Sequence, residues 1–153
     1  MDNGYSLSKL AEITGGKVSG KRSLSVTELI TDSRRVVFAS QALFIALKGP
    51  NHDGHRFINH VYKQGVRSFL VEKLPGQVSF PDAGFVEVEN TLQALQAIAA
   101  YNRSLYVKPV IAVAGSNGKT IVKEWLAHLL AFKYQVIRSP GSYNSQVGVP
   151  LSL

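Results

Sequence analysis

The stretch Gly115-Ser116-Asn117-Gly118-Lys119-Thr120 decides how the rest of this 153-residue chain is read. An apolar run, Val110-Ile111-Ala112-Val113-Ala114, leads into it, and a helical pattern from Val122 to Phe132 leads out. Strand, glycine loop and helix in that order make a phosphate cradle. Glycines let the backbone turn tightly and approach an anion closely. The first N–H groups of the helix lack intrahelical acceptors and point at that anion. Lys119 adds a positive charge, and Thr120 adds a hydroxyl that can reach Mg²⁺. The longer pattern G-x-x-x-x-G-K-[ST] requires glycine at 113, where Val113 stands, so the loop is the shorter G-x-x-G-K-T. The alternative is a plain strand-to-helix turn. Lys-Thr at the helix start favours phosphate.

Charge is uneven around this loop. The net charge is +7, and residues 101–153 hold Arg103, Lys108, Lys119, Lys123, Lys133 and Arg138 against one acid, Glu124. A basic half around a phosphate loop suits an anionic ligand. Nucleic acid is the competing partner, but the basic residues are scattered, without a dense run or interleaved aromatics, and this argues against it. Apolar residues make up 45% of the chain, which indicates a globular protein. No cysteine is present, so neither a disulfide framework nor thiolate chemistry is available. No run approaches the ~18 apolar residues of a membrane span, and the first residues carry no signal-peptide pattern. The expected location is cytoplasmic.

Upstream of the loop, Ser6 to Thr14 reads as a helix with Leu7, Leu10 and Ala11 on one face, stopped at Gly15-Gly16. Lys17 to Ile30 reads as two short strands around Gly20. Thr31-Asp32-Ser33-Arg34-Arg35 follows, either as a turn that Asp and Ser favour or as a ligand loop at a strand end. Ala42 to Leu47 is a continuous apolar run and reads as a strand buried on both faces. Lys48 to His55 reads as a loop. His52, Asp53 and His55 within it are candidate metal ligands, but they lie on one loop without a helical i, i+4 pair, which argues against a metal site. Phe57, Ile58, Val61 and Tyr62 form a helical core stripe ending at Gly65. Strands follow at Arg67–Glu72 and Gly84–Val88. Asn90-Thr91 caps a helix with Leu92, Leu95, Ile98 and Ala99 inward.

Strands alternating with helices predict an α/β fold with a mainly parallel sheet. The expected boundary lies near Arg103 to Lys108, giving one α/β unit at 1–105 and the start of a P-loop-type parallel-sheet domain at 106–153. The second unit offers a strand at 110–114, a helix with Val122, Trp125, Leu126 and Leu129 inward, and a strand at Gln135-Val136-Ile137. A polar loop, Ser139 to Gln146, follows before Val147 opens another element. One or two strands cannot cover a parallel-sheet core, so the chain reads as a fragment of a longer protein.

The motifs together resemble the Mur ligases, ATP-dependent enzymes that build the peptide of bacterial cell-wall precursors. Gly115–Thr120 is similar to their short phosphate loop. Thr31-Asp32-Ser33-Arg34 and Gly49–Ile58, G-P-N-H-D-G-H-R-F-I, resemble the members adding the third residue and the terminal dipeptide. Val122-Lys123-Glu124 and Tyr143-Asn144-Ser145-Gln146-Val147-Gly148-Val149-Pro150 look most like the member adding D-alanyl-D-alanine. The whole pattern resembles versions fused to an alanine racemase.

The resemblance implies a three-domain ligase of UDP-N-acetylmuramoyl-tripeptide and D-alanyl-D-alanine, using ATP and Mg²⁺. It implies that residues 1–105 hold the uridine-diphosphate end of the substrate, with Thr31, Ser33, Asn51 and His52 lining that site. Asn117, Asn144 and Ser145 would face the sugar-diphosphate side. Relatives usually carry Asn-Asn where this chain has Asn144-Ser145. Gly115 to Thr120 would bind ATP, with Lys119 on the β/γ-phosphates and Thr120 on the metal. The competing readings are the related ligase adding the third residue, a uridine-nucleotide-binding module without ATPase function, and a P-loop NTPase unrelated to cell walls.

Overall fold

The computed structural model describes residues 4–50, 52–76, 80–141 and 143–152. Two compact units emerge, residues 1–98 and 99–153. In the first, β1 (Tyr5–Ser6) pairs antiparallel with β3 (Ser25–Val26). Helix α1 (Leu7–Thr14) follows β1. The Ser6 side chain caps it by accepting the Lys9 N–H, and Gly15 ends it in the left-handed region at φ 68°. This is the helix expected from the sequence.

The central sheet has five strands in the order β2-β9-β8-β5-β4. These are β2 (Lys17–Gly20), β9 (Gly84–Glu87), β8 (Ser68–Val71), β5 (Ala42–Ile45) and β4 (Glu28–Ile30). Neighbours β4, β5, β8 and β9 run parallel, and β2 joins the edge antiparallel to β9. The sheet is thus mostly parallel, as expected. Lys17 to Ile30 forms three short strands, β2, β3 and β4, rather than two, because β3 leaves the main sheet to pair with β1.

Strands β5 and β8 are buried at every position, as strands covered on both faces must be. Phe44, Phe69 and Phe85 lie side by side across three strands, in register. Phe69 stacks on Phe85 with centroids 5.1 Å apart and meets Phe44 edge-on at 6.4 Å. Ile58 and Val61 of α2 (Ile58–Lys63) pack on this face. Alternate residues Leu43, Ile45, Leu70 and Val86 point the other way and are equally buried. Helix α3 (Thr91–Leu105) starts where Asn90 Oδ1 accepts the Gln93 N–H, and Leu95 and Ile98 are buried as read from the sequence.

The region Lys48 to Asp53, read as loop, contains a small hairpin of β6 (Lys48–Gly49) and β7 (His52–Asp53). Its close is tight. A Cβ on Gly54 would lie 2.8–2.9 Å from the Ala46 and Leu47 backbone, so only glycine fits there.

The second unit is built around α4 (Lys119–Ala131). The expected strands at 110–114 and 135–137 are not formed: neither segment enters a ladder. A parallel strand needs neighbours to bond and cover on both faces, and the described residues of 106–153 supply neither. The inward stripe of α4 is corrected for the same reason. Val122, Trp125 and Leu129 are 44%, 69% and 68% exposed, with no sheet face for them to pack against in this unit. A short 3₁₀ turn at Pro150–Ser152 follows the polar loop.

Candidate functional site

In the second unit the glycine loop has the geometry of a helix-start anion site. Gly118 is the N-cap residue of α4, at φ 75°, a left-handed conformation that glycine adopts without strain. Its carbonyl accepts the Val122 N–H at 2.9 Å, and no side chain caps the helix. The first-turn amides are therefore oriented outward with the positive end of the helix dipole. Lys119 Nζ curls back onto the Gly115 carbonyl and, at 3.1 Å, the Ser116 carbonyl. Its ammonium is held over the loop rather than extended away from it. Gly115, Ser116, Asn117 and Thr120 are exposed, so the loop is open to a ligand.

Asn144 and Ser145 lie beyond Gly141, in the polar loop. Ser145 Oγ accepts the Gly148 N–H at 2.9 Å, closing a turn around the buried Gly148. The preceding segment is pinned to α4. Lys123 Nζ donates to the Ser139 and Gly141 carbonyls, at 2.8 Å each, and Glu124 pairs with Arg138. Sequence reading gave Lys123 no structural role. Its residue type carries no signal of one, since its partners are backbone carbonyls.

In the first unit the topology gathers Thr31, Ser33 and His52 at one sheet edge. Thr31 and Ser33 follow the carboxyl end of β4, and His52 lies in the hairpin that follows the carboxyl end of the adjacent parallel strand β5. Crevices outside the carboxyl ends of parallel strands are where open α/β sheets bind ligands. Asn51 lies outside the described residues. The exposed His52 ring stacks on Phe57, centroids 5.5 Å apart and 19° from parallel.

Thr31–Arg35 is a turn, one of the two readings of that segment, and it follows the carboxyl end of β4. Asp32 Oδ1 accepts the Arg34 N–H at 3.0 Å, and the Arg34 guanidinium grips both carboxylate oxygens at 2.8–2.9 Å. That guanidinium first, and the Arg34 N–H next, hold the Asp32 carboxyl well below the usual carboxylate range. A depressed folded value stabilises the fold at neutral pH, and the contribution is lost as pH falls through that value. Asp32→Asn is therefore expected to lower Tm at pH 7 by at most about 8 °C, because the Arg34 side of the pair is exposed. The difference from the parent should shrink on acidification. Melting curves of both proteins across pH check this, and a difference that grows in acid would contradict it.

Among the described residues no three His, Asp or Glu side chains gather as a metal site, and no helix is long and apolar enough to cross a membrane. His55 and Asp53 are engaged with each other, Nδ1 to Oδ1 at 2.7 Å.

The Mur ligase middle domain family matches residues 113–153, the segment containing the glycine loop, α4 and the Asn144 loop. The UDP-N-acetylmuramoyl-tripeptide--D-alanyl-D-alanine ligase of Haemophilus influenzae is 34% identical over 95% of this chain and 32% of its own length. The chain thus spans about a third of the curated relatives it matches. The solved UDP-N-acetylmuramoylalanyl-D-glutamyl-2,6-diaminopimelate--D-alanyl-D-alanyl ligase of Acinetobacter baumannii superposes with a TM-score of 0.86 at 30% identity, over 97% of this chain and 33% of that one. MurF ligase of Thermotoga maritima in complex with ADP superposes at 0.69 with 30% identity, over 83% of this chain and 28% of that one. The family match over the glycine loop, the identity along nearly all of this chain and the superposed fold agree, and the chain belongs to the Mur ligase family.

Proposed function

We propose that the chain is the N-terminal part of an ATP-dependent ligase that joins D-alanyl-D-alanine to a UDP-N-acetylmuramoyl-tripeptide in the cytoplasm. The observation that carries this is the 34% identity to a ligase of that name along 95% of the chain. Two domains divide the work, 1–105 for the uridine-diphosphate end and 106–153 for the start of the ATP-binding domain. ATP phosphorylates the tripeptide carboxylate, and the dipeptide amine then displaces phosphate from the acyl phosphate.

The loop's donor set suits this task. The backbone amides at Gly118 and the first turn of α4, with the Lys119 ammonium, match the oxygens of terminal phosphates. A relative in complex with ADP supports nucleotide binding. The Thr120 hydroxyl would hold Mg²⁺, which supplies charge neutralisation to the phosphates. Thr31, Ser33 and His52 would receive the uridine end at the carboxyl edge of β4 and β5, with Asn51 beside them in sequence. Asn117, Asn144 and Ser145 would meet the sugar-diphosphate portion.

The test is phosphate release by the full-length gene product. ATP cleavage that requires both UDP-N-acetylmuramoyl-tripeptide and D-alanyl-D-alanine supports the assignment. Cleavage with the UDP-linked dipeptide and a single amino acid would instead assign the ligase of the third residue. Uridine-nucleotide binding without ATP cleavage would leave only a binding module.

A further inference from the structure

The hairpin carrying His52 is tied to the sheet by a chain of polar side chains. His55 Nδ1 lies 2.7 Å from Asp53 Oδ1, and Nε2 accepts the Glu72 backbone N–H at 3.0 Å. Glu72 Oε1 in turn accepts the Thr91 N–H at 3.2 Å. The Thr91 Oγ1, on a residue only 1% exposed, lies 3.2 Å from both Glu72 Oε1 and the Ala46 carbonyl. The chain therefore links β7, the ends of β8 and β5, and the start of α3. The Gly54 N–H closes the hairpin on the Leu47 carbonyl at 2.8 Å, but His55 is what reaches across to β8.

Because an N–H donates into Nε2, the single ring proton must sit on Nδ1, aimed at Asp53. Asp53 answers in kind: the His55 ring first, and the His55 N–H next, hold its carboxyl below the usual carboxylate range. Protonating Nε2 would set two N–H groups against each other across the His55–Glu72 contact. The charged groups around the ring are Asp53 on β7 and Glu72 after β8. Lys48 on β6 acts on Asp53, and Arg56 follows His55 on the same 3₁₀ turn.

We propose that His55 is a positioning residue, which as the neutral Nδ1–H tautomer holds the β6–β7 hairpin and His52 against the carboxyl edge of the sheet, and which releases that hairpin when protonated. The consequence for ligands rests on the reading of His52 as part of a uridine-diphosphate site. The sign is fixed by the geometry: the hairpin is held at the alkaline end and freed at the acid end.

The test uses the 153-residue chain with ¹⁵N-labelled histidine, and UDP as the probe. At about pH 8 the ¹⁵N shifts are expected to mark Nε2 as the unprotonated nitrogen. Between about pH 8 and 5, amide protection at Lys48, Gly49 and His52 to Gly54, corrected for intrinsic exchange, should fall about tenfold, the equivalent of one hydrogen bond. UDP affinity measured by calorimetry should fall in parallel. His55→Gln keeps an acceptor for the Glu72 N–H but does not titrate. It should show weaker affinity at pH 8 and no step in protection. An Nε2–H tautomer at pH 8, wild-type protection indifferent to pH, or the same step in His55→Gln would each overturn the proposal. Absence of UDP binding by the wild type at pH 8 would overturn the uridine reading instead, while the shifts and exchange still decide the role of His55.

Discussion

Lys119→Ala in the full-length gene product is expected to lower kcat at least about a hundredfold. In the structure the ammonium rests on the Gly115 and Ser116 carbonyls, within the loop it would share with a nucleotide. Those carbonyls are neutral acceptors, and a terminal phosphate is a stronger partner for the same charge. Charge-assisted hydrogen bonds contribute about 1.5–3 kcal/mol each, and two of them at a transferring phosphoryl group correspond to a hundredfold or more in rate. Arginine should not rescue fully, since its planar fork does not replace a compact ammonium on this short loop. Steady-state turnover with saturating ATP measures the effect. Near-normal turnover would remove Lys119 from the chemistry. UDP binding by the first unit serves as the control and should be unchanged.

Phe69→Ala is expected to destabilise the first unit by about 3–5 kcal/mol. The ring is fully buried in β8, stacked on Phe85, edge-on to Phe44 and tilted against Phe80 at 6.5 Å. Removing it leaves a cavity on the sheet face, between the Phe44 and Phe85 rings of the flanking strands, which are held apart by the ladder. A domain of this size has about 5–15 kcal/mol in all, so the variant should lie near the edge of folding. A drop in Tm of at least about 12 °C is the expected readout. Leu74→Ala, at a residue 36% exposed, should cost far less. Equal effects at the two positions would mean that the aromatic cluster does not organise the core.

The two strands expected from continuous apolar runs differ in outcome. Ala42–Ile45 and Val110–Ala114 are comparable in composition, yet the first is a fully buried central strand and the second enters no ladder. Composition shows that a segment can be a strand. Only a neighbour makes it one, and for β5 the neighbours β4 and β8 are present on both sides. The same distinction runs through the site. The Thr31–Arg35 turn and the glycine loop were readable because their hydrogen bonds are local. The His55 chain was not, because Glu72 and Thr91 lie 17 and 36 positions away in the sequence.

What the sequence by itself determined is local. It set the stop of α1 at Gly15, the cap of α3 by Asn90, the glycine that starts α4 and the charge placed beside it. Each follows from the backbone freedom or hydrogen-bonding reach of residues within a few positions of one another. Only the tertiary structure decided the antiparallel edge strand β2, the hairpin at Lys48–Asp53, the tautomer of His55 and the exposure of Trp125. These depend on which distant segments meet. Pairing and burial are properties of two surfaces together, and one stretch of sequence specifies only its own half.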